Sequence, residues 1–487
     1  MSSGTGTGAR VAWRGLGIAA LTTFLAGCLV GPDYQRPETD SPAQYRFAPP
    51  EVLDRASVAD LAWFDLFQDE ALRQLVETAL VQNYDLQIAA ARVSQARAQV
   101  GVVRSEIFPT IGGGGSLETT RAAQNATSGL PPGTSPELSF GTLGLDMTWE
   151  IDVWGRIRRL TESARAELFS SEETRHAVLI TVIADVATAY FQLRTLDLQL
   201  EISRRAIQAR ERSLQLTRTQ RDLGVATGLD VAQAEDLLYT ARATLRNIER
   251  QIGRTEDALS LLAGRNPGEI IRGRELDDTA QSVPPVIPAG LPSALLERRP
   301  DVRAAEQNLV AANANIGAAK ARYFPQISLT GLLGVQSDTL GSLFKESAFV
   351  YNLAGTAAVP IFTAGRISSL VRLAEGQTQE ALAAYQRAVR SAFTEVSDSL
   401  IDITKRREQR AEQASLVDAR ERAVRLSQLR YRGGLDSYLQ VLDAETRLFD
   451  GQLQLADLKR DELIAVVRLY RALGGGWRSV TNAEKRP

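Results

Sequence analysis

Few side chains in this chain could take part in catalysis or bind a metal. Cys28 is the only cysteine among 487 residues, and His176 is the only histidine. One thiol can form neither an internal disulfide nor a cysteine-based metal site, and a lone histidine among Glu and Arg is expected on a helix surface. We therefore predict no Ser-His-Asp, Cys-His or zinc chemistry, and hence no enzyme, no metal site and no bound cofactor.

The residues before Cys28 indicate what this thiol does. Residues 1–27 carry two arginines, then an apolar run, then small residues, which is the layout of a secretory signal peptide. Residues 25–28 read LAGC, which is similar to a bacterial lipobox. This similarity predicts that Cys28 becomes the first mature residue and carries an N-acyl and an S-diacylglycerol group. The alternative is a leader with a chance cysteine.

The residue after the cysteine bears on location. Each buried CH2 contributes roughly 0.8 kcal/mol, so two or three acyl chains anchor a protein stably in a membrane. In similar lipoproteins an Asp at this position retains the protein at the inner membrane, whereas this chain has Leu29. We therefore predict a lipid-anchored protein of the outer membrane. The formal net charge of -2, with both signs mixed along the chain, gives no reason to expect nucleic acid as a partner.

The elements that could position a site occur twice, at a spacing of about 210 residues. The matching pairs are Phe108-Pro109 with Phe324-Pro325, Gly155-Arg156 with Gly365-Arg366, Gly224 with Gly434, Ala234-Glu235 with Ala444-Glu445, and Gly264 with Gly474. We predict a duplicated module, with repeats at 69–265 and 293–475. A lipidated extended segment at 28–68 precedes them, a linker at 266–292 separates them and a tail at 476–487 follows.

Each repeat changes from helical to extended periodicity and back. A long helix is predicted at 71–106, and β-hairpins are predicted at 109–152 and 325–360. The clearest strand alternates apolar Leu143, Leu145, Met147 and Trp149 with Gly144, Asp146, Thr148 and Glu150. Two strands per repeat, each near the ~9 to 11 residues that cross an outer membrane, fit a transmembrane barrel. A half-buried strand of a soluble protein is the alternative.

Helices of unusual length follow the hairpins. Residues 155–223 and 365–432 contain no proline and have helical composition, which predicts helices of roughly 100 Å at 1.5 Å per residue. Return helices are predicted at 228–263 and 436–473. Because stripes of Leu, Val and Ala run along all four, they need neighbouring helices, as in a coiled coil.

Four strands are too few to close a barrel, and open strand edges cannot be left in lipid. The barrel must therefore be shared between chains, with eight strands from two copies or twelve from three, and the strand count does not choose between these. The predicted fold class is an α+β membrane protein. In a shared barrel Asp146 and Glu150 would make the lumen acidic; Asp152 would either join them or lie at the rim.

Several motifs together resemble a known family. Residues 28–34 read CLVGPDY and are followed by Arg36-Pro37, and residues 431–439 read YRGGLDSYL. With the Phe-Pro helix ends and the Gly-Arg helix starts, they resemble the lipoprotein branch of the outer-membrane efflux protein family, similar to the channels of tripartite RND-type systems. The resemblance implies a homotrimer with a twelve-stranded barrel and a periplasmic helical barrel. It also implies a periplasmic adaptor and an inner-membrane pump, of RND type or another, as partners, and passive export of small molecules such as drugs or toxic compounds.

The resemblance also implies a gate at the periplasmic end. The family's constriction residues, a Leu and an Asp one turn apart, match Leu439 and Asp443, and residues that hold the gate helix closed through polar contacts match Tyr431 and Arg432. Three copies of Asp443 near one axis would repel one another, and a Leu439 ring would disfavour a continuous water column. The alternative is that Leu439 is an ordinary packing residue and Asp443 an ordinary helix-surface charge.

Two further classes of protein use similar helices. A coiled-coil stalk that does not conduct would need no alternating strands, and a periplasmic adaptor would show a lipoyl-like or soluble β-barrel pattern without the internal duplication. The alternation at 143–150 and the duplication favour the channel.

Overall fold

The computed structural model describes residues 29–42, 44–47, 67–121, 123, 136–276, 279, 290 and 292–475. The predicted signal peptide at 1–27, the lipidation site Cys28 and the tail at 476–487 lie outside the described residues, as does part of the predicted linker at 266–292. The chain divides into two compact units. The sheet unit comprises the segment that ends at Pro37, with Val93–Ser170 and Ala305–Tyr385; the helical unit comprises Glu38–Arg92, Ser171–Ala304 and Gln386–Pro487.

The elements follow the order of the duplication. In the first repeat they are α1 Glu70–Gln82, α2 Tyr84–Ser105, β1 Thr110–Arg121, β2 Glu137–Ile151, α3 Arg156–Asp222 and α4 Gly228–Leu262. In the second repeat they are α5 Pro292–Arg298, α6 Pro300–Ala321, β3 Gln326–Ser337, β4 Phe349–Ala358, α7 Arg366–Arg432 and α8 Tyr438–Ala472.

The single helix predicted at 71–106 is wrong, because Asn83 divides it into α1 and α2. The backbone of Asn83 is extended, with ψ at 130°. Its side-chain oxygen accepts hydrogen bonds from the amides of Asp85 at 2.9 Å and Leu86 at 3.1 Å, and so caps the start of α2. The side-chain nitrogen donates to the Leu262 carbonyl at the end of α4, at 2.8 Å. One amide side chain therefore caps one helix and ties it to another.

The four strands form one antiparallel sheet in the order β1-β2-β3-β4. Residues opposite one another are both even or both odd in number, as in the row Gly112, Asp146, Leu332 and Asn352. All even-numbered residues therefore share one face, and most of them are polar or glycine. The odd-numbered face is mostly apolar, and it is exposed: Leu353, for example, is 73% accessible. The predicted alternation is present in β2, β3 and β4, while the glycine-rich β1 contributes only Ile111 and Leu117 to the apolar face.

Three glycines cross the even-numbered face in one row, at Gly114, Gly144 and Gly334. A Cβ on Gly334 would lie 2.4 Å from the Leu143 carbonyl oxygen, and one on Gly144 would lie 2.9 Å from that of Leu333. The backbones of β2 and β3 therefore approach too closely for a side chain at Gly144 or Gly334, whereas a Cβ on Gly114 would meet nothing within 4 Å. Glycines at such positions allow a sheet to bend.

The long helices have nearly the predicted bounds. Each of α3 and α7 has 67 residues. A stretch of α3 is apolar and long enough to cross a membrane, but 56% of that stretch is buried within the chain, which indicates a packed helix. In the helical unit α3, α4 and α8 share an apolar cluster that includes Leu214, Leu238 and Leu442.

Candidate functional site

The turn between α7 and α8 carries the predicted gate residues and is a copy of the turn between α3 and α4. Gly434 and Gly224 both have positive φ, at 69° and 77°. In each turn an amide bonds back to the carbonyl five residues earlier, Leu435 to Arg430 at 2.9 Å and Val225 to Gln220 at 2.8 Å. The duplication therefore extends to the backbone of these turns.

The two turns differ in how the next helix begins. Thr227 caps α4 in a reciprocal capping box with Asp230: the Asp230 amide donates to the threonine hydroxyl at 3.2 Å, and the Thr227 amide donates to the carboxylate at 2.7 Å. Ser437, at the same place before α8, makes no side-chain cap, and Gln440 replaces the aspartate. Since a side-chain cap contributes about 1 kcal/mol, the first turn of α8 is held less firmly.

Tyr431 ties the end of α7 to α3. Its hydroxyl donates to the Gln220 side-chain oxygen at 2.7 Å, and its ring lies 5.1 Å from that of Tyr438. Tyr438 is buried and hydrogen-bonds the Ser213 hydroxyl at 2.8 Å. Burial, with Asp230 and Tyr438 nearby, raises the pKa of Tyr431, so its hydroxyl stays protonated at neutral pH and remains a donor. The structure therefore gives Tyr431 a polar contact between helices.

Arg432 differs from its neighbour. Its side chain is exposed, and no carboxylate or carbonyl among the described residues pairs with its guanidinium. The polar contact predicted for Arg432 is therefore not made within the described part of one chain, and its role at the gate stays a prediction.

Leu439 and Asp443 lie one turn apart on the exposed side of α8, while Val441 and Leu442 pack inward. Leu439 is 55% accessible, which is unusual for an ordinary packing residue. The Asp443 carboxylate accepts a hydrogen bond from Arg447, one turn further on, at 3.0 Å. The sequence reasoning missed Arg447, although an Asp and an Arg four residues apart on a helix form a recognised pair. This pair reduces the repulsion expected between copies of Asp443.

The two acidic residues predicted for the lumen differ in their contacts. Both lie on the even-numbered face, and Asp146 is exposed with no ion-pair partner among the described residues. The Glu150 carboxylate accepts two hydrogen bonds from Arg156, from Nε and Nη2, each at 2.9 Å. It also accepts one from the side-chain amide of Gln326 at 2.7 Å. Its charge is therefore compensated within the chain. The prediction of an acidic lumen, which remains a prediction, rests on Asp146.

Asp152 belongs to a helix start rather than to the sheet face. Its carboxylate accepts hydrogen bonds from the amides of Ile157 at 3.1 Å and Arg158 at 2.9 Å, at the first turn of α3. Asp152 follows the last residue of β2, so of its two alternatives the structure favours a place near the strand end over one on the sheet face.

The sheet has one polar and one apolar face, and its edge strands β1 and β4 have no further strand partner in the described part of the chain. Joined to pairs of very long helices, such a sheet suits the protomer of a membrane channel. Comparison with known proteins agrees. Residues 75–265 and 291–475 match the family model for outer membrane efflux proteins, and the chain belongs to this family.

The individual relatives are similar over nearly the whole chain. A probable efflux pump outer membrane protein of Pseudomonas putida, TtgC, is 37% identical over 467 residues, which cover 95% of each chain. Among solved structures, the outer-membrane channel OprN is 31% identical with a TM-score of 0.84, covering 93% of this chain and 100% of that one. The open state of the MtrE outer membrane channel of Neisseria gonorrhoeae is 31% identical with a TM-score of 0.82, covering 92% and 99%.

These similarities confirm the predicted family, the outer-membrane location and a role in efflux transport rather than catalysis. The fold is that of the solved channels, which combine a β-barrel with a helical barrel.

Proposed function

We propose that this protein is the exit duct of a tripartite efflux system, a homotrimer whose twelve strands close one barrel in the outer membrane and whose helices form a tunnel in the periplasm. The observation that carries this proposal is the four-stranded sheet, which is mostly polar or glycine on one face and mostly apolar on the other. Its edges at β1 and β4 are unpaired within the described residues, so in lipid they must pair with other copies.

Barrel size favours three copies over two. A barrel of about eight strands is just wide enough for its own side chains to fill, whereas more strands leave a channel. Twelve strands with a glycine-rich polar lining therefore suit a duct. Asp146 would appear three times in this lining.

The cargo and the partners follow from the relatives. Their names include antibiotic and toluene efflux pumps, so we propose that the duct passively conducts small molecules such as drugs or toxic compounds. It would receive them from a periplasmic adaptor and an inner-membrane pump of RND type or another. The chain's own residues supply no energy-coupling chemistry in this proposal.

We also propose that Cys28 carries the covalent lipid. The next residues support this, because Leu29 and Val30 lie against the end of the sheet. The Val30 amide donates to the Trp154 carbonyl at 3.2 Å, and a Cβ on Gly155 would meet Leu29 at 2.5 Å. Leu29, the residue that follows Cys28, is therefore held near the place where the strands give way to helices, which is the inner boundary of the membrane in this proposal.

The gate would consist of Leu439 and Asp443 on the weakly capped start of α8, held by Tyr431 and by Arg432. Three Leu439 side chains would narrow the axis, and the Asp443–Arg447 pairs would surround it with charge of both signs. An adaptor that breaks the Tyr431 contact would release α8.

Single-channel conductance in a planar bilayer tests the duct and the gate together. The full-length lipidated protein is compared with a Leu439→Ala, Asp443→Ala variant and with Leu229→Ala, Gln233→Ala, which changes the equivalent positions after the first turn. We expect poor conductance for the wild type and the control, and several-fold higher conductance for the gate variant. Native mass spectrometry counts the copies. If no form conducts while the protein is intact and oligomeric, the channel proposal fails and the stalk takes its place.

A further inference from the structure

A cavity in the sheet unit lies where β2 and β4 end, where β3 begins, and where α3 and α7 begin. Its volume is about 420 Å³. Three arginines, Arg156, Arg322 and Arg366, line it, together with the aromatic rings of Trp154 and Phe324. The cavity is large enough for a small ligand or the headgroup of a larger one.

Two of the three arginines lack a direct partner among the described residues, although Arg322 attracts the Glu150 carboxylate at longer range. Arg156 is engaged by Glu150 in a two-point ion pair. Asp152 is the other acidic residue of the cavity wall, and its carboxylate accepts hydrogen bonds from the backbone amides at the start of α3. Arg322 and Arg366 make no side-chain hydrogen bond or ion pair with any described residue. The cavity therefore has an excess of positive charge.

The start of α7 adds to this excess. The second repeat has Phe362 where the first has Asp152, so α7 begins without the carboxylate that caps α3. The amino end of a long helix carries a partial positive charge of about half a unit. Arg366 is the first residue of α7, and both Arg366 and Ile367 line the cavity. An anion in the cavity would meet guanidinium groups and an uncapped helix start together.

The surroundings of the cavity are apolar and aromatic. Trp154 stacks on Phe324 with the ring centres 4.7 Å apart, and the indole N–H donates to the Pro325 carbonyl at 2.8 Å. Ile361 and Phe362, beside the cavity residue Pro360, are 94% and 87% accessible. Aromatic side chains with arginines beside an apolar sheet face are typical of a membrane interface.

We propose that this cavity binds the phosphate of a phospholipid in the inner leaflet of the outer membrane, with Arg322 and Arg366 as its ligands. Arginine forms short, two-point hydrogen bonds with phosphate oxygens, and basic pockets at membrane boundaries bind anionic headgroups. Ile361 and Phe362 would lie along the acyl chains. The inference rests on the proposed placement of the sheet across the membrane, because only then does this end of the strands meet the inner leaflet.

The test counts phospholipids bound to the intact, lipidated oligomer by native mass spectrometry. The protein is stripped of free lipid and then titrated with phosphatidylglycerol in mixed micelles, or with inorganic phosphate alone. The cavity variant is Arg322→Gln, Arg366→Gln. The control is Arg104→Gln, Arg372→Gln, which removes the same charge from exposed positions of the same unit outside the cavity. An Arg322→Lys, Arg366→Lys variant keeps the charge without the planar fork.

We expect one phospholipid per copy for the wild type and the control, at least about tenfold weaker binding for the glutamine variant, and intermediate binding for the lysine variant. Equal lipid binding by the cavity and control variants would overturn the site. Inorganic phosphate that binds the wild type as tightly as the lipid does would also overturn the proposal, because the site would then be one for a free anion. Conductance of the same preparations reports on the duct separately: a channel that conducts without cavity-dependent lipid binding refutes only this inference.

Discussion

Asp443 and Arg447 lie four residues apart on the exposed side of α8, and the Arg447 Nε donates to the Asp443 carboxylate at 3.0 Å. The predicted gate therefore contains an ion pair, which follows Leu439 along α8, rather than an isolated carboxylate. If three copies surround one axis, this pair makes the ring nearly neutral. The charge of the ring can then be changed in either direction by one substitution.

Arg447→Gln should make the channel more selective for cations, because it leaves the Asp443 carboxylates uncompensated. Asp443→Asn should shift selectivity the opposite way, since it leaves Arg447. Exposed pairs contribute at most about 1 kcal/mol, so the free energy of unfolding should change little in either variant. The measurement is the reversal potential in a salt gradient. Arg425→Gln, an exposed position on α7, is the control, and equal potentials for all forms would place the pair away from the conducting path.

Tyr431→Phe removes the hydrogen bond to Gln220 and keeps the ring. A hydrogen bond of this kind contributes about 1 kcal/mol, so the open fraction of the gate should rise about fivefold. Burial raises the pKa of Tyr431, so the contact is present at neutral pH and is lost only as the pH rises through that raised pKa, above about 10. Tyr239→Phe, at an exposed ring of α4, should have no effect on open-state lifetimes. A Gln220→Ala variant that did not reproduce Tyr431→Phe would argue against the contact.

The Arg430–Asp436 ion pair predicts that the turn between α7 and α8 becomes less stable at acidic pH. The hydrogen bond from Arg430 lowers the pKa of Asp436. Because the pKa is lower in the folded turn, the stabilisation is present above the ordinary value of about 3.9 and is lost as the pH falls through the lowered pKa. Channel opening should therefore increase below about pH 4, and Asp436→Asn should open more often at neutral pH and lose this dependence. Asp222→Asn, at the end of α3, is the control. Unchanged behaviour of Asp436→Asn would separate the turn from gating.

The features that the sequence predicted depend on neighbours along the chain. Alternation at 143–150 predicts a strand whatever it pairs with, and a proline-free span such as 366–432 predicts a helix from its own composition. The cap that Asn83 provides for α2 is a local signal that the single-helix prediction overlooked, whereas its bond to the Leu262 carbonyl, 179 residues away in the chain, leaves no local signal. For the same reason no local pattern could assign Gln220 as the partner of Tyr431, 211 residues apart.

Arg159 fixes the segment that follows the proposed lipid. Its side chain is buried, and it donates to the carbonyl of Val30 at 3.2 Å and to the Asp33 carboxylate at 2.8 Å. Arg159→Met should destabilise this contact by roughly 2 kcal/mol, because it removes the charged donor of both hydrogen bonds. Faster protease cleavage near residues 31–36, followed by mass spectrometry, measures the effect. Arg165→Met, exposed on the same helix, is the control, and equal cleavage would show that other contacts hold the segment.

Gly334 tests the bend on which the proposed barrel depends. A Cβ there would lie 2.4 Å from the Leu143 carbonyl oxygen, whereas a Cβ on Gly331, in the same strand, would make only an ordinary contact at 3.5 Å with Met147. Gly334→Ala should therefore straighten the sheet or strain it by about 1–3 kcal/mol per copy, while Gly331→Ala should not.

Because three copies must close together in the proposed trimer, this strain acts three times in one assembly step. Gly334→Ala should lower the yield of folded oligomer sharply, as measured by native mass spectrometry and by the mobility of unheated samples on denaturing gels. Gly331→Ala should assemble like the wild type. If both variants assemble equally well, the glycine row does not set the curvature, and the polar face has no structural reason to be the inside of the barrel.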